Sequence, residues 1–152
     1  MTSPLPIRPM VDADAAFVLD SWRRSYEGAA AVRACDPEHY RIEMTRAIRR
    51  IISNSTARTV VAYDPEDAGH IVGFACFSVR RRERVPPHTV TPEKPLPDTH
   101  EAELHYVYVK KDFRGQGIAR ALLEGVPVTS YTFLSPSARP RKGWRFTPRF
   151  TI

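Results

Sequence analysis

A strand that runs through a glycine-bounded turn into a helix limits what this chain can become more than any other feature of its sequence. Ala102 to Val109 carries the strongest strand pattern in the chain, and Lys110-Lys111-Asp112 follows as a polar turn. Arg114-Gly115-Gln116-Gly117 then leads into Ile118-Ala119-Arg120-Ala121-Leu122-Leu123-Glu124, read as a helix of about three turns that Gly125 and Pro127 stop. Such a unit is a device for holding a phosphate. The helix start leaves N–H groups unpaired and concentrates positive potential, while glycines let an anion approach the main chain. It is neither the three-glycine dinucleotide fingerprint nor a Walker loop, which needs Gly-Lys-Ser/Thr.

The elements upstream alternate strands and helices, as in an α/β (α+β) chain. Pro6 to Met10 reads as a short first strand, and Val11-Asp12-Ala13-Asp14 supplies capping carboxylates for a helix. Val18, Trp22 and Tyr26 recur at four-residue spacing and form its apolar face. Asp36-Pro37-Glu38 starts a second helix, with Asp as cap and Pro at the first helical position. Tyr40, Met44, Ala47, Ile48 and Ile51 line its buried side, and Arg41, Arg46, Arg49 and Arg50 its solvated side. Thr59 to Tyr63 and His70 to Val79 make a strand hairpin around an Asp64 to Gly69 turn. Arg80 to Thr99, with Pro86, Pro87, Pro92, Pro95 and Pro97, reads as a long exposed loop that is a candidate flap over a substrate. Val128 to Leu134 is a last strand.

At 152 residues the chain accommodates one domain, with a core from about 5 to 134, the loop at 80–100 and a tail at 135–152. No apolar run reaches the roughly 20 residues needed to span a bilayer, so the expectation is a cytoplasmic, non-exported protein with no membrane partner. Cys35 and Cys76 stand apart from any metal-ligand spacing, and no metal is expected; each reads as a small buried hydrophobe. The net charge of +6 comes from 23 Lys and Arg against 17 Asp and Glu. Arg139, Arg141, Lys142, Arg145 and Arg149 lie beyond the last acid, Glu124, and without those five the balance is 18 to 17. The excess therefore belongs to a basic, aromatic tail able to meet a polyanion: nucleic acid, an acidic partner or a phosphate-bearing cofactor.

Together these residues resemble the GCN5-related N-acetyltransferase (GNAT) superfamily. Its signature is Arg or Gln, two residues, Gly, one residue, then Gly or Ala, and Arg114, Gly117 and Ala119 match it. The resemblance covers roughly residues 5 to 134, since the order of elements agrees and the motif follows the fourth strand, and it implies an α/β (α+β) fold with a central, mixed, mostly antiparallel sheet flanked by helices. It implies that acetyl-CoA, as cosubstrate, lies in a splay between the fourth and fifth strands. The pantetheine arm would pair with the backbone of Val107, Tyr108 and Val109, and the Val107 N–H would face the thioester carbonyl. The pyrophosphate would rest on Arg114, Gly115, Gln116, Gly117, Ile118, Ala119 and Arg120.

Acetyl transfer to an amine requires a base. Ala102-Glu103-Leu104 is similar to the Ala-Glu-Ile of the yeast-type histone acetyltransferases, which implies that Glu103 is that base. His105, two residues along on the same strand face, is a second candidate, since the ordinary imidazole pKa of about 6.5 suits proton transfer at neutral pH. The chain departs from the superfamily after the fifth strand. There the usual fourth helix, with its cofactor-contacting Asn and thiolate-protonating Tyr, is replaced by Leu134-Ser135-Pro136-Ser137 and the tail. Tyr131 or Ser135 then stand as substitutes, and Trp144, Phe146 and Phe150 as a rebuilt wall with Arg139 to Arg145 near the adenosine phosphates. The implied function is N-acetyl transfer from acetyl-CoA to a primary amine of a small molecule or protein. The alternative is a catalytically silent relative that binds CoA, a partner protein or, through the tail, nucleic acid.

Overall fold

A computed structural model of the chain describes residues 4–81, 100–132 and 143–146. The expected flap from 82 to 99, most of the basic tail, Ser135 and Phe150 lie outside the described residues. The elements are β1 (Ile7–Pro9), α1 (Ala15–Arg24), α2 (Ala30–Arg33), α3 (Pro37–Ile52), β2 (Ala57–Asp64), β3 (Asp67–Arg81), β4 (His100–Val109), α4 (Ile118–Leu122), β5 (Val128–Tyr131) and β6 (Arg145–Phe146). The six strands form one sheet in chain order. β1 to β4 are antiparallel, whereas β5 is parallel to β4 and β6 parallel to β5.

Each face of the sheet carries its own core. Val18 and Trp22 of α1 and Tyr40, Met44 and Ile48 of α3 pack on Val61, Phe74, Cys76 and Tyr106. Ile118 and Leu122 of α4 pack on Val72, Ala75, Phe77, Ala102 and Leu104 of the opposite face. Trp22 stacks on Tyr106 at 5.1 Å between ring centroids, which fixes α1 against β4. Val18, Trp22, Ile48 and Phe74 are completely buried, and each contributes about 2–3 kcal/mol of transfer free energy. Burial pushes the Cys76 thiol up to about 11, in keeping with an inert core residue. No helix among the described residues is long and apolar enough to cross a membrane.

Asp36 caps α3 as expected, its carboxylate accepting the His39 N–H at 2.8 Å, with Pro37 at the first helical position. Asp14, by contrast, does not cap α1. Its buried carboxylate takes two hydrogen bonds from Arg8, at 2.6 and 3.0 Å, and one from the Val11 N–H at 2.9 Å, tying β1 to the start of α1. The Arg8 guanidinium holds that carboxyl below the usual carboxylate range.

Several boundaries differ from those read in the sequence. The hairpin turn is shorter, since Asp64 already pairs with Asp67, so β3 begins at Asp67 rather than His70. At the other end Arg80 and Arg81 are strand, not loop, because β4 extends back to His100 and pairs with them. Arg80 also donates to Glu101 at 2.8 Å. Finally, α4 has five residues. Beyond Leu122 the N–H groups of Leu123, Glu124 and Val126 bond to carbonyls three residues back, and Gly125 turns the chain at φ 72°.

Gly73 in β3 is required by a close approach. A Cβ there would stand 2.7 Å from the Tyr108 carbonyl oxygen. Gly73→Ala is expected to destabilise the protein by about 1–3 kcal/mol in urea unfolding, because strands β3 and β4 must separate to admit a methyl group.

Candidate active site

β4 is the spine of the site, and a bulge decides what it presents. Cys76 pairs with Tyr106 and the next residue of β3, Phe77, pairs with Leu104, so His105 is an extra residue in β4. Glu103, opposite Ser78, lies on the α1/α3 face, and Tyr106, opposite Cys76, lies on that face too. The bulge adds His105 between them on the same side, where both His105 and Glu103 line a cleft of about 430 Å³ with Ser78, Arg50, Asn54 and Arg80. The shared face expected from two-residue spacing is therefore present.

Glu103 and His105 are 5% and 7% exposed, enough to be reached from the cleft while shielded from bulk water. The His105 ring is held at both nitrogens: Nε2 lies 2.7 Å from Ser78 Oγ, and Nδ1 lies 3.4 Å from Thr132 Oγ1. Thr132 continues β5, its N–H donating to the Leu104 carbonyl at 3.0 Å. Ser130, the register partner of Glu103, is also buried, and its hydroxyl has no hydrogen-bond partner among the described residues. Five polar side chains thus converge on one patch of a sheet face that is otherwise aromatic and aliphatic. Tyr106, just beyond, is not part of this reactive group. Its hydroxyl is hydrogen-bonded to Ser25 Oγ and burial pushes its pKa up to about 12.

The bulge also resets which peptide groups face which neighbour. Below it, the Ala102 N–H and the Leu104 carbonyl point to the β5 side, bonding Pro127 and Thr132. Above it, the Lys110 N–H bonds the Val72 carbonyl on β3 at 2.8 Å, so by antiparallel alternation Tyr106 and Tyr108 also turn their peptides to β3. Val107 and Val109 turn theirs the other way. β5 pairing with β4 ends at Leu104 and Tyr131, which leaves that edge of β4 without a strand partner among the described residues. The Val109 carbonyl accepts Arg114 Nε at 2.9 Å. Tyr108, expected to share in backbone pairing with a ligand, turns its peptide to β3 by this alternation, and its ring packs against Phe74 and Phe17.

At the end of this edge lies the glycine turn. Gly115 and Gly117 sit at φ 77° and 79°, a conformation that L side chains resist, and a Cβ on either would meet nothing within 4 Å. The space over the turn is open. From Gly115 to Arg120 the main-chain N–H groups make no hydrogen bond among the described residues, and the first to do so is Ala121, to the Gly117 carbonyl at 3.0 Å. Arg120 is exposed beside them, and Arg114 lies at the entrance. Such a run of unpaired donors on glycine backbone can take the oxygens of a phosphate.

Of the residues read as substitutes for the usual C-terminal elements, Tyr131 and Trp144 are placed together, their rings 6.4 Å apart, with β6 added beside β5. Ser78, Thr132, Ser130, Arg50 and Asn54 went unremarked in the sequence as site residues. Nothing local marks them, since Ser78 closes an apolar strand and Arg50 lies on an ordinary charged helix face.

Comparison with known proteins gives the family and the fold. The model of the acetyltransferase (GNAT) family matches residues 17–126. No curated protein matches the chain. The fold is similar to that of a proposed acetyl transferase from Pyrococcus furiosus, at 15% identity and a TM-score of 0.61, over 87% of this chain and 84% of that one. It is also similar to a histone acetyltransferase HPA2 and related acetyltransferase from Corynebacterium glutamicum, at 20% identity and a TM-score of 0.54, over 80% and 69% of the two chains. A ribosomal-protein-alanine N-acetyltransferase from Brucella melitensis aligns at 18% identity and a TM-score of 0.47, over 79% of this chain and 66% of that one. The chain spans about two thirds of the length of the Corynebacterium and Brucella proteins, at 69% and 66%.

Proposed function

Because the chain belongs to the acetyltransferase (GNAT) family, we propose that it moves an acetyl group from acetyl-CoA directly to a primary amine, with β4 as the shared wall of both binding sites. The observation that carries this reading is the continuity between the open edge at Val107 and Val109 and the unpaired N–H groups from Gly115 to Arg120. In that arrangement the diphosphate rests on the glycine turn, helped by Arg114 and Arg120, and the pantetheine arm adds to β4 in place of a strand.

The Val107 N–H then meets the thioester carbonyl and stabilises the negative charge that grows on its oxygen as the amine attacks. An ammonium cannot attack, so Glu103 takes its proton, directly or through one water. His105 is the second acceptor, reached through the Ser78 hydroxyl. Its Nε2 faces the Ser78 hydroxyl and its Nδ1 the Thr132 hydroxyl, so the tautomer with its proton on Nδ1 would present Nε2 to Ser78 as the acceptor. The new N–C bond forms as the C–S bond breaks, and the CoA thiolate leaves to be protonated.

The test is thiol release from acetyl-CoA by the purified chain in the presence of a panel of primary amines, with acetyl-CoA binding followed by calorimetry. Release that requires both protein and amine is expected. Binding without release would make the protein a silent relative that holds the carrier, and absence of binding would remove the reading.

A further inference from the structure

The cleft that holds Glu103 and His105 has two chemically different ends. Its inner wall offers a carboxylate, an imidazole and the Ser78 hydroxyl, groups that accept protons and suit an amine. Its outer rim is formed by the last turn of α3 and the residues after it, and there the groups are donors.

Most cations near this rim are already engaged. Arg80 donates to Glu101 at 2.8 Å. On α3, Arg41 pairs with Glu38 and Arg46 with Glu43, both at 2.5 Å. Arg49 and Arg50 are exposed and have no carboxylate within ion-pair distance among the described residues. Arg50 lines the cleft, and it also lines the adjoining groove of about 620 Å³ with Arg49 and Arg46. Beside it, the Asn54 side-chain oxygen accepts both the Thr56 N–H, at 3.0 Å, and the Thr56 hydroxyl, at 2.8 Å. That fixes the amide so that its NH₂ group is the part left to bind. Cations in a last turn also offset the carbonyl end of a helix, which explains why two arginines are tolerated there. It gives no reason for a fixed amide donor next to them on the rim of the cleft.

From this polarity we propose that the acceptor is an amine carrying an anionic group, a phosphate or a carboxylate, held by Arg50 with Asn54 and Arg49 while the amine reaches Glu103. The amine half rests on the acetyl-transfer reading, and the anion half does not. A guanidinium and an amide NH₂ together present several N–H donors to one anion, the pattern by which planar Arg recognises both groups.

The experiment is calorimetric titration at physiological salt with three probes of equal chain length: an aminoalkyl phosphate, an aminoalkyl carboxylate and the neutral amino alcohol. Wild type, Arg50→Ala and Arg41→Ala are compared, the last removing the same charge from the same helix at a position that lines only the adjoining groove and not the cleft. At least one anionic probe is expected to bind the wild type roughly tenfold or more tighter than the alcohol, with that preference lost in Arg50→Ala and kept in Arg41→Ala. Which anion is preferred separates phosphate from carboxylate. No preference in the wild type, a preference surviving in Arg50→Ala, or equal loss in both variants would overturn the proposal. Because binding is read without turnover, an intact preference in a protein that releases no thiol would reject acetyl transfer and leave the anion site standing.

Discussion

Glu103→Gln is expected to lower the rate of acetyl transfer by a factor of about 10²–10⁴ while leaving acetyl-CoA affinity within about twofold. Glutamine keeps the size and hydrogen-bonding reach of the side chain but cannot take a proton. The carboxylate lies on the α1/α3 face of β4, and the peptide groups assigned to the carrier point from the edge of the same strand at Val107 and Val109. In the proposed mechanism chemistry and carrier binding use different parts of β4, and a change in one need not reach the other. Single-turnover rates together with calorimetry make the comparison. Unchanged turnover would transfer the base role to His105, in which case Ser78→Ala would carry the defect, because Ser78 bridges Nε2 to the cleft.

Gly117→Glu is expected to weaken acetyl-CoA binding by at least roughly 100-fold, through two separable penalties. At φ 79° any L residue is strained, at about 1–2 kcal/mol, and relief of that strain would rotate the N–H groups of the turn away from a common centre. The added carboxylate also stands among donors meant for a diphosphate and repels it. Gly117→Ala isolates the first penalty, and its loss of affinity should be well short of that for the glutamate. A Cβ at this position meets no protein atom within 4 Å, so the effect is directed at the bound anion rather than at the fold. Equal affinity in wild type and Gly117→Glu would show that the turn is not where the carrier binds.

Much of this site was legible because its parts are local. The strand from Ala102, the glycines that need left-handed backbone and the helix beginning at Ile118 are consecutive, and each residue type reports its own conformation. The same holds for the Asp36 cap and for the apolar stripes of α1 and α3, where Val18, Trp22, Met44 and Ile48 are buried as their spacing requires. Asp14 is ambiguous in the sequence because two roles share one signal. An aspartate before a helix caps it unless a cation is brought close, and β1 brings Arg8. The end of α4 is not set locally, because helical propensity in Leu123 and Glu124 competes with the chain reversal at Gly125, which the pairing of β5 with β4 settles.

By itself, then, the sequence determined the βα unit, its glycine turn and the helix faces, which follow from backbone preferences and periodicity within a few residues, while the acetyltransferase family rests on the motif at Arg114, Gly117 and Ala119 and the match over residues 17–126. The tertiary structure alone decided which side of β4 each group serves. The bulge at His105 exists only as a mismatch in register with β3, and it moves the open peptides to Val107 and Val109. Ser78 and Thr132, each 27 residues from His105, are brought to its two nitrogens by strand pairing, and Arg50 reaches the cleft because α3 packs across the same face. Register and packing are relations between segments distant in the chain, and no pattern within one segment encodes the partner it will meet.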